Sequence, residues 1–324
     1  MKLVSVFMDV EDPINPLADP AALDLAQLFT DAGVRGSFCI TGEKCRSLES
    51  RGRTDIIDAF KPHCLGLHTN THSFHPTTME LLADLPYEQG CQAAYESEQK
   101  GFAAFERVFE RFPAFWGGAG NTWSPEIADA IKRLGIPAYS YALTEFPNSA
   151  VHQFNHVVAL PQALSISELD WADDARAARE SERVLRKVGE IPQTWLGIFV
   201  GHPTKFRHTQ YWDLPYNYGR TPPSPEFTEP LPVETFECSK MNLRAFLSKL
   251  KTKTEIVGVD DALALPWSFR RASASELDHF NARTAANLRS ALGWPIHRKG
   301  LSAELIVEKT LALANTAEIG ALDR

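Results

Sequence analysis

The chain has 324 residues, 44% of them hydrophobic and 23% charged, which describes an ordinary globular protein long enough for one large α/β barrel or two smaller domains. Its net charge of −8 provides no basic stripe, so nucleic acid and anionic membrane surfaces drop out as partners. The five cysteines (Cys39, Cys45, Cys64, Cys91 and Cys238) are an odd set without a C-x-x-C pair, which argues against a disulfide framework and a Cys-ligated zinc site and points to a reducing, cytoplasmic compartment.

In chain order, MKLVSVFM is a short β-rich apolar run that stops at Asp9, before Pro13. It reads as a buried strand that delivers a carboxylate, and is too short and too soon interrupted by acids for a signal peptide or membrane span. Pro20 to Ala32 carries apolar residues at helical spacing, and Val34 to Thr41, following Gly33, reads as a second strand. The beat recurs with a helix from Arg53 to Phe60, a strand from Cys64 to Leu67, a long helix from Tyr87 to Phe112, a strand from Ala114 to Trp116 and a helix from Pro125 to Leu134. Further strands are expected at Ala138 to Ala142, Val157 to Leu160, Leu196 to Gly201 and Glu255 to Val259, with helices at Ala172 to Lys187 and Asn242 to Leu250. Such alternation implies a parallel sheet or barrel. Thr204 to Glu237, rich in Pro and aromatics, reads as a long covering or functional loop, and the periodicity after Trp267 as an appended helical pair.

Three strand ends carry chemistry. His68-Thr-Asn-Thr-His72 follows the run Cys64 to Leu67. Histidines four apart fall on one face of a helical turn and can share a metal, although the spacing alone equally describes a surface or core pair. Asp9-Val-Glu11-Asp12 places three carboxylates at the end of the first strand, offering a third ligand and a spare base; by itself it is also an acidic turn before Pro13. Together the two sets match a catalytic zinc site with three protein ligands and an open position for water. His202, closing the apolar run Ile198 to Gly201, is placed as a general acid, though a lone strand-end histidine is commonly structural. In a β/α barrel, active sites are built at this C-terminal end of the strands.

These motifs resemble the polysaccharide deacetylase family, also called the NodB-homology or carbohydrate esterase family 4 domain, over roughly Met1 to Leu265. Asp9 and Glu11 resemble its opening acidic motif with base and metal ligand one residue apart, which implies Asp9 as catalytic base and Glu11, or alternatively Asp12, as ligand. His68, Thr69 and His72 match its H-[ST]-x-x-H motif. Trp116-Gly-Gly-Ala119-Gly120 aligns with R-x-P-x-G but lacks the arginine that supports the base; its loop retains a backbone N–H near Ala119 for the oxyanion. Asp170-Trp171 is similar to the motif that lines the groove and supports the general acid, and Val200-Gly-His202 to the motif ending in that acid.

The resemblance implies a distorted (β/α) barrel over residues 1–267, and the helical periodicity of 268–324 suggests a helical extension packed on it. The resemblance also implies one divalent metal, most simply zinc, held by Glu11, His68 and His72, and removal of N-acetyl groups from an amino sugar in a glycan or glycoconjugate. Groove residues would be Trp116, Ala119, Gly120 and Trp171, with Tyr211 and Trp212, and Phe206, Tyr216 and Tyr218 nearby, as aromatics that either stack on a sugar or anchor the loop. Two other readings stay open: hydrolysis of another C–N bond in a cyclic amide or imide, and a carbohydrate-binding barrel with impaired turnover. The absent arginine supports the latter; retention of Asp9 and His202 opposes it.

Overall fold

The structure, a computed structural model, describes residues 2–82, 85–143, 152–191, 195–214, 225, 228–265 and 270–271. Its strands are β1 (Lys2–Val10), β2 (Ser37–Ile40), β3 (Cys64–Leu67), β4 (Trp116–Gly117), β5 (Ala138–Leu143), β6 (His152–Phe154), β7 (Val157–Ser165), β8 (Trp195–Gly201), β9 (Glu255–Ile256) and β10 (Arg270–Arg271). The α-helices are α1 (Ala18–Asp31), α2 (Gly42–Ser50), α3 (Thr54–Phe60), α4 (Thr78–Leu82), α5 (Tyr87–Phe109), α6 (Pro125–Arg133), α7 (Asp174–Glu190), α8 (Pro203–Arg207), α9 (Val233–Leu250) and α10 (Val259–Leu263).

Parallel pairings run β7-β5-β4-β3-β2-β1-β8, and β8 pairs again with β7, so the ladder returns to its start. The ring is irregular: β3 and β4 share the single pair Leu67↔Trp116, and register shifts interrupt β5–β7 and β7–β8. This is a distorted α/β barrel, one of the two parallel architectures that the alternation allows and the one that the family resemblance implies. β6 lies antiparallel on β7 outside the ring, and β10 pairs with β6, so residues beyond 267 contribute to the sheet. The helices expected within 272–324 lie outside the described residues.

Side-chain alternation along β1 separates two cores. Val4, Val6, Met8 and Val10 pack outward with the helices, whereas Leu3 and Phe7 belong to an inner cluster with Cys39, Cys64, Phe115, Ile198 and Val200. Asp9 continues the inward set. Val259 and Ala262 of α10 join the inner cluster, and the Val259 N–H donates to the Ser37 hydroxyl at 3.1 Å, so α10 plugs the N-terminal end of the ring. The C-terminal strand ends are left to build a site.

Several boundaries differ from those read in the sequence. The second strand ends at Ile40 because Thr41 caps α2, its hydroxyl accepting the Lys44 N–H; α2 escaped notice because its buried apolar residues are only Cys45 and Leu48. The expected loop over Thr204 to Glu237 contains α8 and the first turn of α9, which starts after Pro232 rather than at Asn242. No described helix is long and apolar enough to cross a membrane. All five cysteines are free.

Candidate active site

Asp9 and Glu11 leave the end of β1 two residues apart, and thus on one side, in line with the inward face of the ring. Asp12 points elsewhere: its Oδ1 accepts the N–H groups of Ile14 and Asn15, both at 2.9 Å, closing a turn. That turn is pinned to α2. The buried Lys44 ammonium donates to the Asp12 carbonyl at 2.7 Å and pairs with buried Asp19 at 2.5 Å, while Arg51 reaches the carbonyls of Pro13 and Ile14. Burial pushes the Asp12 carboxyl up to about 6 despite Lys44. Of the two acids the sequence left open as ligands, Glu11 is the one beside the histidines.

The Glu11 carboxylate lies 2.9 Å from His72 Nε2 and 3.5 Å from His68 Nε2. Donor atoms of Glu11, His68 and His72 all fall within 4.8 Å of one another, and all three residues are buried. The expected helical turn does not form between the histidines. Residues 68–72 are a loop in which Thr69 and His72 take positive φ values of 57° and 51°, a conformation rare for the β-branched Thr69 and held here by surrounding hydrogen bonds. The first N–H groups of α2, which lack partners inside their helix, hold the loop: Gly42 donates to the Thr69 carbonyl and Glu43 to that of Asn70, both at 3.0 Å. The Thr69 hydroxyl accepts the His72 N–H at 2.9 Å.

Both imidazoles are oriented from behind. His68 Nδ1 lies 3.1 Å from the Gly117 carbonyl, which can only accept, so Nδ1 carries a proton and Nε2 faces Glu11. Gly117 is required at this approach, since a Cβ there would stand 2.9 Å from His68 Nδ1 and 2.7 Å from Cys39 Sγ. His72 Nδ1 lies 2.8 Å from the Ser73 hydroxyl, which in turn donates to Asp213. A carboxylate behind a histidine is the usual arrangement around metal-binding imidazoles. Replacing Asp213 or Ser73 by Ala should therefore weaken zinc binding by about 10- to 100-fold, and the double variant should fall no further than the worse single one; competition against a chromophoric chelator measures this.

The charge pattern fits a cation. Burial alone would raise Glu11, but His72, His202 and His68 outweigh it and hold the carboxyl well below its ordinary range. Burial would lower His68, yet Asp9 and Glu11 push it up to about 9, so the acids draw positive charge to this point. Two imidazole nitrogens and one carboxylate oxygen are also a donor set suited to zinc.

Asp9 and His202 face each other beside this group. His202 Nε2 is 3.5 Å from Asp9 Oδ2, and His68 Nε2 is 4.0 Å from the same oxygen. Burial pushes the Asp9 carboxyl up, against the pull of His68 and His202, and its Oδ1 has no hydrogen-bond partner among the described residues. No Lys or Arg among the described residues forms an ion pair with Asp9; the charge that an arginine would supply comes from imidazoles. On its far side His202 Nδ1 meets the Ser167 hydroxyl at 3.0 Å and the Tyr211 hydroxyl at 3.3 Å.

The expected groove residues divide. Tyr211 is partly exposed and touches His202, Ala119 is buried in the turn closed by Thr122, and Gly120 is exposed at φ 60°. Trp116, by contrast, is 1% exposed, and its indole N–H donates to Glu98 at 2.8 Å. Trp171 is buried against Phe206 and Phe246, its N–H donating to the Ile166 carbonyl. Trp212 is buried beside His72 and Phe74. All three indoles are packed into the walls, Trp116 also lining a small cavity with Thr69, His72 and Ala119. Asp170 pairs with Arg176, so the group supporting His202 is Ser167 rather than the expected aspartate. Tyr216 and Tyr218 lie outside the described residues.

Glu98, unmarked in the sequence, is fully buried on α5 and accepts both the Trp116 indole N–H and the Asn70 backbone N–H. Burial pushes its carboxyl up to about 7 from an ordinary 4.5, against those two hydrogen bonds. Between these values the folded chain holds a proton that the unfolded chain has released, so Glu98 lowers stability as pH rises through that window. The stability of the wild type relative to Glu98→Gln should fall by on the order of 3 kcal/mol from pH 4.5 to above 7, read by denaturant unfolding.

No family model and no curated protein matches the sequence. Solved structures do. A Mycobacterium smegmatis protein assigned as a polysaccharide deacetylase aligns with TM-score 0.53 at 12% identity, covering 84% of this chain and 94% of that one. This chain has the polysaccharide deacetylase fold. More distant likenesses are a CE4 family pseudoenzyme from Bacillus anthracis (TM-score 0.46, 13% identity, 84% and 67% covered) and a polysaccharide deacetylase from Bacillus cereus (TM-score 0.45, 12% identity, 82% and 96% covered). Fold alone does not carry an activity.

Proposed function

We propose that this chain is a metal-dependent hydrolase that removes N-acetyl groups from an amino sugar, in a glycan or small glycoconjugate. The observation that carries the reading is the convergence of Glu11, His68 and His72 within 4.8 Å, both imidazoles oriented through Nδ1, beside a facing Asp9–His202 pair at the strand ends. Glu11, His68 and His72 would hold one divalent ion, zinc by donor type. When bound, the ion would polarise the amide carbonyl and lower the pKa of water.

The chain's own residues then act in order. Asp9, buried and raised, accepts the proton of the attacking water, with its unpartnered Oδ1 as the available acceptor. A backbone N–H of the loop at Ala119 is the donor we assign to the developing oxyanion. His202, held through Nδ1 by Ser167 and Tyr211, gives its Nε2 proton to the departing amine, releasing acetate. Buried Trp116, Trp171 and Trp212 keep the walls rigid, and Tyr211 is the aromatic face offered to a sugar ring.

A panel of N-acetylated glucosamine monomers and oligomers, linear acetamides, and cyclic amides and imides tests the reading, with acetate and ring opening measured separately. Acetate from the amino sugars, dependent on zinc, is expected. Ring opening without acetate would move the activity to another C–N bond, and binding without either product would leave a carbohydrate-binding barrel.

A further inference from the structure

The inner face of the ring holds a second donor set next to the first. Asp9 and Cys39 are direct partners across the β1–β2 pair, and Cys39 belongs to the inner cluster. Asp9, Cys39 and His68 each offer one donor atom, all within 4.8 Å of one another, and all three residues are buried. Asp9 Oδ1 is buried without a hydrogen-bond partner among the described residues, although the side chain is only 7% exposed. The bare Gly117 backbone leaves the room in which Cys39 Sγ and His68 lie together.

We propose that Asp9, Cys39 and His68 form an inner seat for one soft, thiophilic metal ion, an alternative to the Glu11–His68–His72 position. The inference rests on the metal reading of the site given above. The two seats exclude each other: His68 Nδ1 is committed to the Gly117 carbonyl, so Nε2 is its one available lone pair, and one lone pair serves one ion. Exchanging a carboxylate and an imidazole for a carboxylate and a thiolate shifts preference toward ions such as Cd²⁺. Binding breaks the Cys39 S–H bond, forms a sulfur–metal bond and releases one proton to solvent. Occupancy also engages Asp9, so an ion in the inner seat removes the proposed base from the reaction.

The probe is Cd²⁺ itself, titrated into the full chain after chelator treatment while the ultraviolet thiolate-to-cadmium charge-transfer absorption is followed. The band is expected to saturate at one equivalent, to be lost in Cys39→Ser and in the apolar replacement Cys39→Val, and to persist in His72→Ala, which leaves the inner seat whole. No band in the wild type, a band surviving in a folded Cys39 variant, or a band lost in His72→Ala overturns the inner seat. Zinc binding on the same preparations keeps the two ideas apart. Zinc held without any cadmium–thiolate band defeats this inference alone, and the band without zinc binding defeats the hydrolase reading alone.

Discussion

His68→Ala and His72→Ala chains should each lose zinc and, with it, acetate release. Loss of an outer partner typically weakens metal binding by about 10- to 100-fold, so removing one of three direct ligands should weaken it by more than about 100-fold. Polarisation of a carbonyl by a metal contributes several kcal/mol, and each 1.36 kcal/mol is tenfold in rate, so turnover should fall by about 1,000-fold or more. The two variants should also differ. His68 is the imidazole shared with Asp9, at 4.0 Å, so its removal leaves Asp9 and Glu11 buried with one fewer positive neighbour. His72 touches Glu11 and the Ser73–Asp213 relay, and its loss leaves the Asp9–His68 contact in place. Metal analysis and circular dichroism on the same samples separate ligand loss from misfolding. A His72→Ala chain that keeps its metal and its rate would remove His72 from the site.

Asp9→Asn should produce the second large effect, and a different one. The amide is nearly isosteric, so the inner face keeps its shape, but it cannot take a proton; general-base loss typically costs about 100- to 10,000-fold in rate. Zinc should remain, because Glu11, His68 and His72 form their group without Asp9. The separation of rate from metal content is what distinguishes a base from a ligand. If Asp9→Asn loses zinc while Glu11→Gln keeps it, the two acids have exchanged roles, and the 2.9 Å contact between Glu11 and His72 would need another explanation.

The frame of the site was legible because short-range pattern controls it. The alternation Leu3, Phe7, Asp9 against Val4, Val6, Met8 sets which way a carboxylate leaves β1, and the run Cys64–Leu67 sets where His68 begins. The motif resemblance supplied the histidines and acids that the structure brings together. What the sequence hid depends on long-range approach. Asp213 stands 140 residues from Ser73, in a segment whose composition suggested only a loop, and Ser167 reaches His202 across 35 residues. Glu98 sits on an amphipathic helix where a charged residue ordinarily faces water, yet it is buried under Trp116 and Asn70.

The same limit applies to the walls of the site. Trp116 and Trp171 align with family groove motifs and Trp212 reads equally as a stacking or a loop-anchoring aromatic; indoles bury large area, and all three are buried. The H-x-x-x-H spacing suggested a helical turn, whereas backbone donors from α2 and the hydroxyl of Thr69 hold a tighter loop that spacing alone cannot reveal. Cys39 has no cysteine partner in the sequence, and its neighbours Asp9, on β1, and His68, just after β3, lie far from it along the chain.

The most direct test of the central claim is the zinc content of the reconstituted wild-type chain, counted by native mass spectrometry with acetate release from N-acetylglucosamine oligomers measured on the same preparation. One zinc per chain, with acetate release that chelation abolishes and zinc restores, is the predicted result. A folded wild-type chain that takes up no zinc after reconstitution contradicts the assignment of Glu11, His68 and His72, and with it the proposed hydrolysis.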